Sequence, residues 1–151
     1  MLGKLARWLR AMGYDTLYFK IADDRYLLRL ARAEARTLLT RDGRLARLAG
    51  PAGLLIRATG VESQLGEVLE RLALLPSGEG LLSRCLECNA LLEDRPKESI
   101  RGLVPEYVFG TQDRFVGCPG CARIYWQGSH ADQILARLER VLGPRHGSGR
   151  A

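Results

Sequence analysis

Four cysteines arranged as two CxxC pairs constrain the fold of this chain more than any other feature of its sequence. The pairs are Cys85-Leu-Glu-Cys88 and Cys118-Pro-Gly-Cys121. Each CxxC turn can bind a metal ion through both sulfurs, and two such turns supply the four soft ligands of a tetrahedral zinc site. We therefore predict a structural Zn²⁺ ion bound by all four cysteines.

Other uses of the four cysteines fit the sequence less well. A deaminase-type catalytic zinc site needs a glutamate in an H-x-E arrangement, and neither histidine lies beside a cysteine pair in that way. Two structural disulfides are typical of secreted proteins, and nothing in the sequence points to secretion. Iron in a rubredoxin-like site stays open as an alternative and would indicate a redox protein.

The composition indicates a globular protein rather than a membrane or disordered one. Hydrophobic residues make up 46% of the chain and charged residues 26%. Basic residues interrupt the apolar N-terminal segment, and no run reaches the roughly 20 apolar residues of a membrane span. We predict a cytoplasmic protein without a membrane partner, and its net charge of +6 favours a polyanion such as nucleic acid.

The first half of the chain alternates between helical and extended patterns. Helices are predicted over 2–12, from Asp23 or Asp24 to Ala35, over 44–48 and from about Glu62 to Leu75. Strands are predicted over 15–19, 37–40 and 54–57. Alternating strands and helices indicate an α/β fold with a parallel sheet and flanking helices.

The second half has a different organisation. The segment Pro76-Ser77-Gly78-Glu79-Gly80 is typical of a linker, which we predict over 77–82. Short extended pieces, expected at 107–109, 114–116 and 123–126, surround the cysteine pairs, and a helix over about 131–142 follows. We predict a first domain over 1–76, a small zinc-ribbon module with its C-terminal helix over 83–143, and a disordered tail over 144–151.

Two aspartates fall where an α/β sheet binds its ligands. Asp42 directly follows the predicted strand 37–40, and Asp24 opens the helix after the predicted strand 15–19. The carboxyl ends of parallel strands form one rim of the sheet, so both carboxylates are expected there. Hard carboxylate oxygens suit Mg²⁺ or Mn²⁺, which support phosphodiester hydrolysis. The competing interpretation is that Asp23 or Asp24 only caps a helix and that Asp42-Gly43 is only a turn.

Basic residues near this rim are candidates for phosphate contacts. Lys4 and Arg7 lie in the first turns of the opening helix, and Arg41 adjoins Asp42. A second basic set follows one helix face and is better explained as a solvated surface: Arg25, Arg29, Arg32 and Arg36.

His130 has two interpretations. It could act as a catalytic imidazole. Ser129, with Asp132 three residues later, also forms a capping pattern that would open the last helix, and we favour this capping interpretation.

Five segments together resemble one known family. They are MLGKLARWLR, ADDRYLLRLA, LLTRD, SRCLECN and CPGCARIYWQGSH. In this order, from Met1 to about His130, they are similar to the prokaryotic PIN-like ribonucleases of the Mut-seven C-terminal family, named for the C-terminal module of a nematode exonuclease. The resemblance implies a PIN-like parallel sheet joined to a zinc ribbon, and metal-dependent RNA cleavage by acidic residues. It places two of these acidic residues at Asp24 and Asp42, and the zinc ligands at Cys85, Cys88, Cys118 and Cys121.

The resemblance also implies an acidic residue on a strand just before the opening helix, and this sequence has no residues at that position. We therefore expect Met1 to be an internal methionine, with the native protein starting roughly 5–15 residues upstream, about one strand and its lead-in. That segment should supply a third carboxylate beside Asp24 and Asp42.

The sequence as a whole predicts a divalent-metal-dependent ribonuclease with a structural zinc ribbon and RNA as its partner. Lys4, Arg7 and Arg41 would bind the substrate. The alternative is a non-catalytic RNA- or protein-binding module, a nuclease fold that has lost its chemistry. The sequence does not specify an oligomeric state.

Overall fold

A computed structural model describes residues 2–74, 80–126, 133–134 and 136–141 of the chain. The chain divides into two compact units. The first unit comprises Met1–Leu5 and Tyr18–Leu74, and the second comprises Ala6–Leu17 and Leu75–Ala151.

Helices and parallel strands alternate along the first unit, as the hydrophobic pattern predicts. The opening helix α1 (Gly3–Ala11) has its first residues in this unit and the rest in the second. The other elements, in chain order, are α2 (Asp24–Ala33), β1 (Leu38–Thr40), α3 (Gly43–Ala49), β2 (Gly53–Leu55) and α4 (Val61–Arg71). A 3₁₀ turn over Gly50–Ala52 joins α3 to β2.

The two strands of the first unit pair in parallel, which confirms the predicted α/β class. Leu39 lies opposite Leu54 and Thr40 opposite Leu55. The core of this unit consists of apolar side chains from α3, the β2 segment and α4. They are Leu45, Leu54, Ile56, Leu65, Val68 and Leu69.

The predicted strand over 15–19 is wrong, because residues 14–19 form no strand in the structure. Side chains form hydrogen bonds with the Thr16 N–H and carbonyl groups, which would otherwise pair with a neighbouring strand. The Thr16 N–H donates to Asn89 Oδ1 over 2.9 Å, and the Thr16 carbonyl accepts from Arg10 Nε over 2.8 Å. Thr16 is thus held by side chains within the second unit rather than by a sheet.

The second unit contains a three-stranded antiparallel sheet in the order β3-β4-β5. Its elements, in chain order, are β3 (Glu93–Arg95), a 3₁₀ turn (Lys97–Ile100), α5 (Glu106–Thr111), β4 (Phe115–Gly117) and β5 (Ile124–Trp126). The described part of the predicted closing helix, residues 133–134 and 136–141, is helical. Residues 77–79 of the predicted linker and the predicted tail lie outside the described residues.

The predicted extended piece over 107–109 is also wrong, because these residues belong to α5. The N–H groups of Val108 and Phe109 both donate to the Pro105 carbonyl over 3.0 Å, which closes the first turn of the helix. Val108 is buried with Ile100 and Phe115, so packing within the unit outweighs the β propensity of the Tyr-Val-Phe sequence.

The later part of α1 is built into the second unit. Trp8, Leu9 and Met12 are buried, and the guanidinium of Arg137 lies over the Trp8 ring at 5.2 Å. At the end of the helix, Leu82 N donates to the Ala11 carbonyl over 2.8 Å. Within the described residues, no helix combines the length and apolar character needed to cross a bilayer.

Candidate metal centre and carboxylate-bearing helix termini

The four cysteines lie together in the second unit, as the CxxC pattern predicts. Their sulfur atoms are all within 4.8 Å of one another, and no disulfide joins them. The Sγ atoms of Cys85 and Cys121 are 3.5 Å apart, and those of Cys88 and Cys118 are 3.1 Å apart. Zinc–sulfur bonds of about 2.3 Å in a tetrahedron place the sulfurs about 3.8 Å from one another, so the cluster fits a zinc ion. The four cysteines could hold a zinc ion between them.

The two CxxC turns share one backbone pattern. In the first turn, Cys85 N donates to the Ala90 carbonyl and Asn89 N donates to the Cys85 carbonyl. The second turn repeats this, since Cys118 N donates to the Arg123 carbonyl and Ala122 N to the Cys118 carbonyl. Asn89 (φ 75°) and Ala122 (φ 66°) both adopt the left-handed conformation that such tight turns require. The sulfurs are therefore oriented by local backbone geometry.

Two of the four sulfurs, those of Cys118 and Cys85, have hydrogen-bond partners outside the cluster's side chains. The N–H groups of Gly120 and Cys121 point to the Cys118 sulfur at 3.3 and 3.4 Å. The Tyr125 hydroxyl lies 3.3 Å from the Cys85 sulfur, and Leu86 N donates to that hydroxyl oxygen. Burial raises the pKa of Cys85, but the hydrogen bonds it receives, first of all from Tyr125, hold the pKa below its usual value. Burial and the contact with Cys85 raise the pKa of Tyr125, so the phenol keeps its proton.

Arg10 is a buried cation near this cluster that the sequence analysis did not identify. Its side chain donates to the carbonyls of Thr16 and Leu86, over 2.8 and 2.9 Å. Burial lowers the pKa of Arg10, and the charges of Cys85 and Cys88 act in the opposite direction. Four thiolates around one zinc ion leave a net charge of about −2, which a neighbouring guanidinium partly neutralises. The only signal in the sequence was an arginine on the apolar side of an amphipathic helix.

The candidate catalytic aspartates lie at helix N-termini in the first unit. Asp42 is the N-cap of α3, and its Oδ1 accepts from Arg44 N at 2.8 Å and Leu45 N at 3.3 Å. Asp23 caps α2 by accepting from Tyr26 N at 2.8 Å. Asp24, the first residue of α2, is exposed, and its carboxylate has no partner among the described residues. Capping thus explains Asp23 and accounts for one oxygen of Asp42, but it does not explain Asp24.

The two helices that carry these aspartates contact each other near their C-terminal ends. Arg32 Nη2, in the last turn of α2, donates to the carbonyl of Leu48, near the end of α3, over 3.3 Å. Within the described parts of the chain, the four cysteines form the one cluster of three or more metal-binding side chains, so Asp24 and Asp42 have no third carboxylate with them.

The three basic residues predicted to contact phosphate have different surroundings. Lys4 is exposed and has no side-chain partner among the residues described. Arg41 Nη1 donates to the Ala58 carbonyl over 2.6 Å, which still leaves other guanidinium donors. Arg7 forms an ion pair with Glu87 in the second unit. His130 lies outside the described residues.

The loop after β2 is held by Glu67, a residue that the sequence analysis missed. Glu67 Oε1 accepts from Arg57 N and from Ala58 N, each over 3.0 Å. These backbone hydrogen bonds, that from Ala58 foremost, lower the pKa of Glu67. The Ala58 carbonyl accepts in turn from Arg41 and from Gln64 Nε2. A glutamate in an amphipathic helix gives no sign in the sequence that it will bind a loop.

Comparison with known proteins identifies the family of the chain. No curated protein and no solved structure matches it. The family described as the Mut7-C RNAse domain matches residues 1–138, which include both CxxC pairs, Asp24 and Asp42. The chain belongs to the Mut7-C RNAse domain family.

Proposed function

We propose that this protein is a divalent-metal-dependent ribonuclease that hydrolyses phosphodiester bonds of RNA, with a zinc ribbon as a structural module. The observation that carries the proposal is that residues 1–138 match an RNase domain family and include an aspartate at the N-terminus of α2 and another at the N-terminus of α3. A net charge of +6 suits a polyanionic substrate.

The hydrogen bond between Arg32 and Leu48 supports a common location for the two carboxylates. It joins the C-terminal ends of α2 and α3. Asp24 lies roughly 12 Å before Arg32 along its helix, and Asp42 lies roughly 9 Å before Leu48. α2 ends shortly before β1 begins, and α3 begins directly after β1 ends. We therefore expect both carboxylates toward the end where β1 finishes, the edge at which parallel sheets bind ligands.

The carboxylate oxygens that are left free suit a hard cation. The α3 cap uses Oδ1 of Asp42, which leaves Oδ2, and Asp24 has both oxygens available among the described residues. Asp24 and Asp42 would hold Mg²⁺ or Mn²⁺, which supplies charge stabilisation and water activation when bound. Lys4 would contact an RNA phosphate, and Arg41 would do so with the donors that Ala58 leaves free.

The four cysteines have a structural role in this proposal. Four thiolates complete a tetrahedral site and leave no coordination position for water or substrate. RNA cleavage is therefore assigned to the first unit and metal-supported folding to the second.

Replacing Asp42 by asparagine tests the proposed chemistry separately from folding. Asparagine caps helices about as well as aspartate, so Asp42→Asn should melt within a few degrees of the wild type. Cleavage of single-stranded RNA in Mg²⁺ or Mn²⁺ should fall by about a hundredfold or more, because losing only a hydrogen-bond partner of a metal ligand already costs about 10–100-fold. Asp94→Asn, at an exposed position in the second unit, is the matched control and should cleave like the wild type.

Two outcomes would count against the nuclease. One is a zinc-loaded wild type without metal-dependent cleavage, and the other is equal cleavage by Asp42→Asn and the wild type. The first outcome would favour the non-catalytic binding module, and the second would show that the cleavage does not use the Asp42 carboxylate.

A further inference from the structure

A cavity of about 510 Å³ lies in the second unit, beside the first CxxC turn. Its volume is in the range typical of small-ligand sites. One part of its wall is apolar, formed by Leu86, Val104 and Ile124, and the aromatic residues Tyr125 and Trp126 also line it. The cavity is thus wide enough for a nucleobase and lined by surfaces on which a flat ring can pack.

The aromatic part of the wall is held in place. Tyr125 is anchored through its hydroxyl, which contacts the Cys85 sulfur and accepts from Leu86 N. Trp126 packs on Phe115, with the ring centroids 6.4 Å apart, and is still partly exposed. A ring that is already ordered loses little conformational entropy when a base stacks on it.

The charged part of the wall favours an anion. Arg7 and Glu87 pair with each other, so their charges largely cancel. Arg123 is exposed, and its guanidinium has no side-chain or backbone partner among the residues described. One unpaired guanidinium beside an apolar, aromatic cavity matches the two parts of a nucleotide, its phosphate and its base.

We propose that this cavity binds an unpaired nucleotide of single-stranded RNA, with the base against the apolar and aromatic wall and the phosphate on Arg123. The inference rests on the proposed function for the identity of the polymer, but it assigns RNA binding to a second site, beside the zinc ribbon. In this assignment the zinc cluster has a binding role as well, because the Cys85 turn fixes Leu86 and Tyr125 in the wall.

The test measures RNA binding without added Mg²⁺ or Mn²⁺, so that no cleavage occurs. The probe is a short single-stranded RNA carrying 2-aminopurine, whose fluorescence falls when the base stacks on an aromatic ring. Arg123→Ala should weaken binding about tenfold. It should also reduce the slope of log affinity against log salt by about 0.7, the value for one lost phosphate contact on a single strand. Leu103→Glu, which places a negative charge at an exposed position of the wall, should abolish the fluorescence change.

Two matched controls separate the cavity from general surface charge. Arg114→Ala removes an exposed arginine, and Leu91→Glu adds a charge at an exposed leucine, both in the second unit and outside the cavity wall. Both controls should bind like the wild type. Equal binding by the cavity variants and their controls would overturn the proposal, as would a wild type that binds no RNA or leaves 2-aminopurine fluorescence unchanged.

The same variants separate this inference from the ribonuclease proposal. In Mg²⁺ or Mn²⁺, Arg123→Ala should raise KM and leave kcat close to the wild-type value, whereas Asp42→Asn should lower kcat and still bind RNA. If the wild type binds RNA through Arg123 but does not cleave it, the ribonuclease proposal is overturned and the proposed RNA-binding cavity is supported. RNA cleavage by Arg123→Ala with an unchanged KM would overturn the proposed role of the cavity and leave the ribonuclease proposal standing.

Discussion

The guanidinium of Arg10 donates a hydrogen bond to the carbonyl of Leu86 over 2.9 Å, although the two residues are 76 positions apart. Leu86 follows Cys85, the first cysteine of the cluster, so this bond joins α1 to the CxxC turn within the second unit. The same side chain binds the Thr16 carbonyl, and only 6% of Arg10 is exposed. One buried cation therefore binds one backbone carbonyl close to it in the chain and one far from it, and it lies near the cysteine cluster.

Replacing Arg10 by methionine should destabilise the second unit by about 2–4 kcal/mol, because it leaves the buried Leu86 carbonyl without its donor and removes a charge near the thiolates. Arg10→Lys keeps the charge but loses the geometry that reaches both carbonyls, so it should lower the free energy of unfolding by less than Arg10→Met does. Urea unfolding of the zinc-loaded protein measures both effects. Arg114→Met, at an exposed site, should change stability by less than about 0.5 kcal/mol. Equal stability of Arg10→Met and this control would contradict the assigned role.

Removal of zinc should unfold the second unit. Zinc binding contributes roughly 10–16 kcal/mol in small zinc modules, more than such a unit gains from its core. Metal analysis should find one colourless zinc ion per chain, whereas oxidised iron would be coloured. Thermal melting with a strong chelator should lose the transition of the second unit, and the same chelator saturated with zinc serves as the control. A melting curve that the free chelator leaves unchanged would refute the structural role.

The sequence predicted those parts of the fold that local patterns encode. The alternation in the first half led to α2, β1, α3, β2 and α4 because each element buries one face at its own period. The strand predicted at 15–19 failed because the Thr16 backbone is held by Asn89, which lies 73 positions away. The extended piece predicted at 107–109 failed because Pro105 starts a helix whose Val108 fills the core.

In the candidate site as well, features set by neighbouring residues in the sequence could be predicted, and features set by distant residues could not. The cysteine cluster was predictable because each CxxC turn sets its own geometry. Capping by Asp23 or Asp24 was one of two interpretations left open by the sequence, since a cap depends on the next few residues only, and the structure shows the cap at Asp23. For Asp42 the alternative was a turn, and the structure shows a helix N-cap instead. Arg10, Tyr125 and Glu67 could not be identified, because their partners are brought to them only by tertiary folding.

Glu67→Gln should destabilise the first unit by about 1 kcal/mol at neutral pH, because the neutral amide is a weaker acceptor for the N–H groups of Arg57 and Ala58. Backbone hydrogen bonds lower the pKa of Glu67 from its ordinary value of 4.5. A lowered pKa contributes stability above pH 4.5 that is lost as pH falls through the folded-state pKa. The stability difference between wild type and variant should therefore shrink below about pH 4.

Urea unfolding at several pH values measures this difference. Glu70→Gln, at an exposed position of the same helix, is the matched control and should show no loss at neutral pH. A loss in Glu67→Gln that stays constant down to acid pH would show that packing, rather than the carboxylate charge, holds the loop.

Gly13→Ala should destabilise the second unit by at least about 2 kcal/mol, for two reasons that act together. Gly13 ends α1 with φ +93°, a conformation that side-chain-bearing residues rarely adopt. An added Cβ would also overlap the Gly80 carbonyl oxygen, which is backbone and cannot rotate away.

Gly66→Ala is the matched control for this last change. Gly66 lies inside α4 with no atom near its notional Cβ, so alanine there should stabilise the protein by about 0.5–1 kcal/mol through helix propensity. In urea unfolding of the zinc-loaded proteins, the free energy of unfolding should thus fall for Gly13→Ala and rise for Gly66→Ala, although the chemical substitution is the same. A Gly13→Ala protein as stable as the wild type would show that the end of α1 can adopt another backbone conformation and that its close approach to Gly80 is not required for the fold.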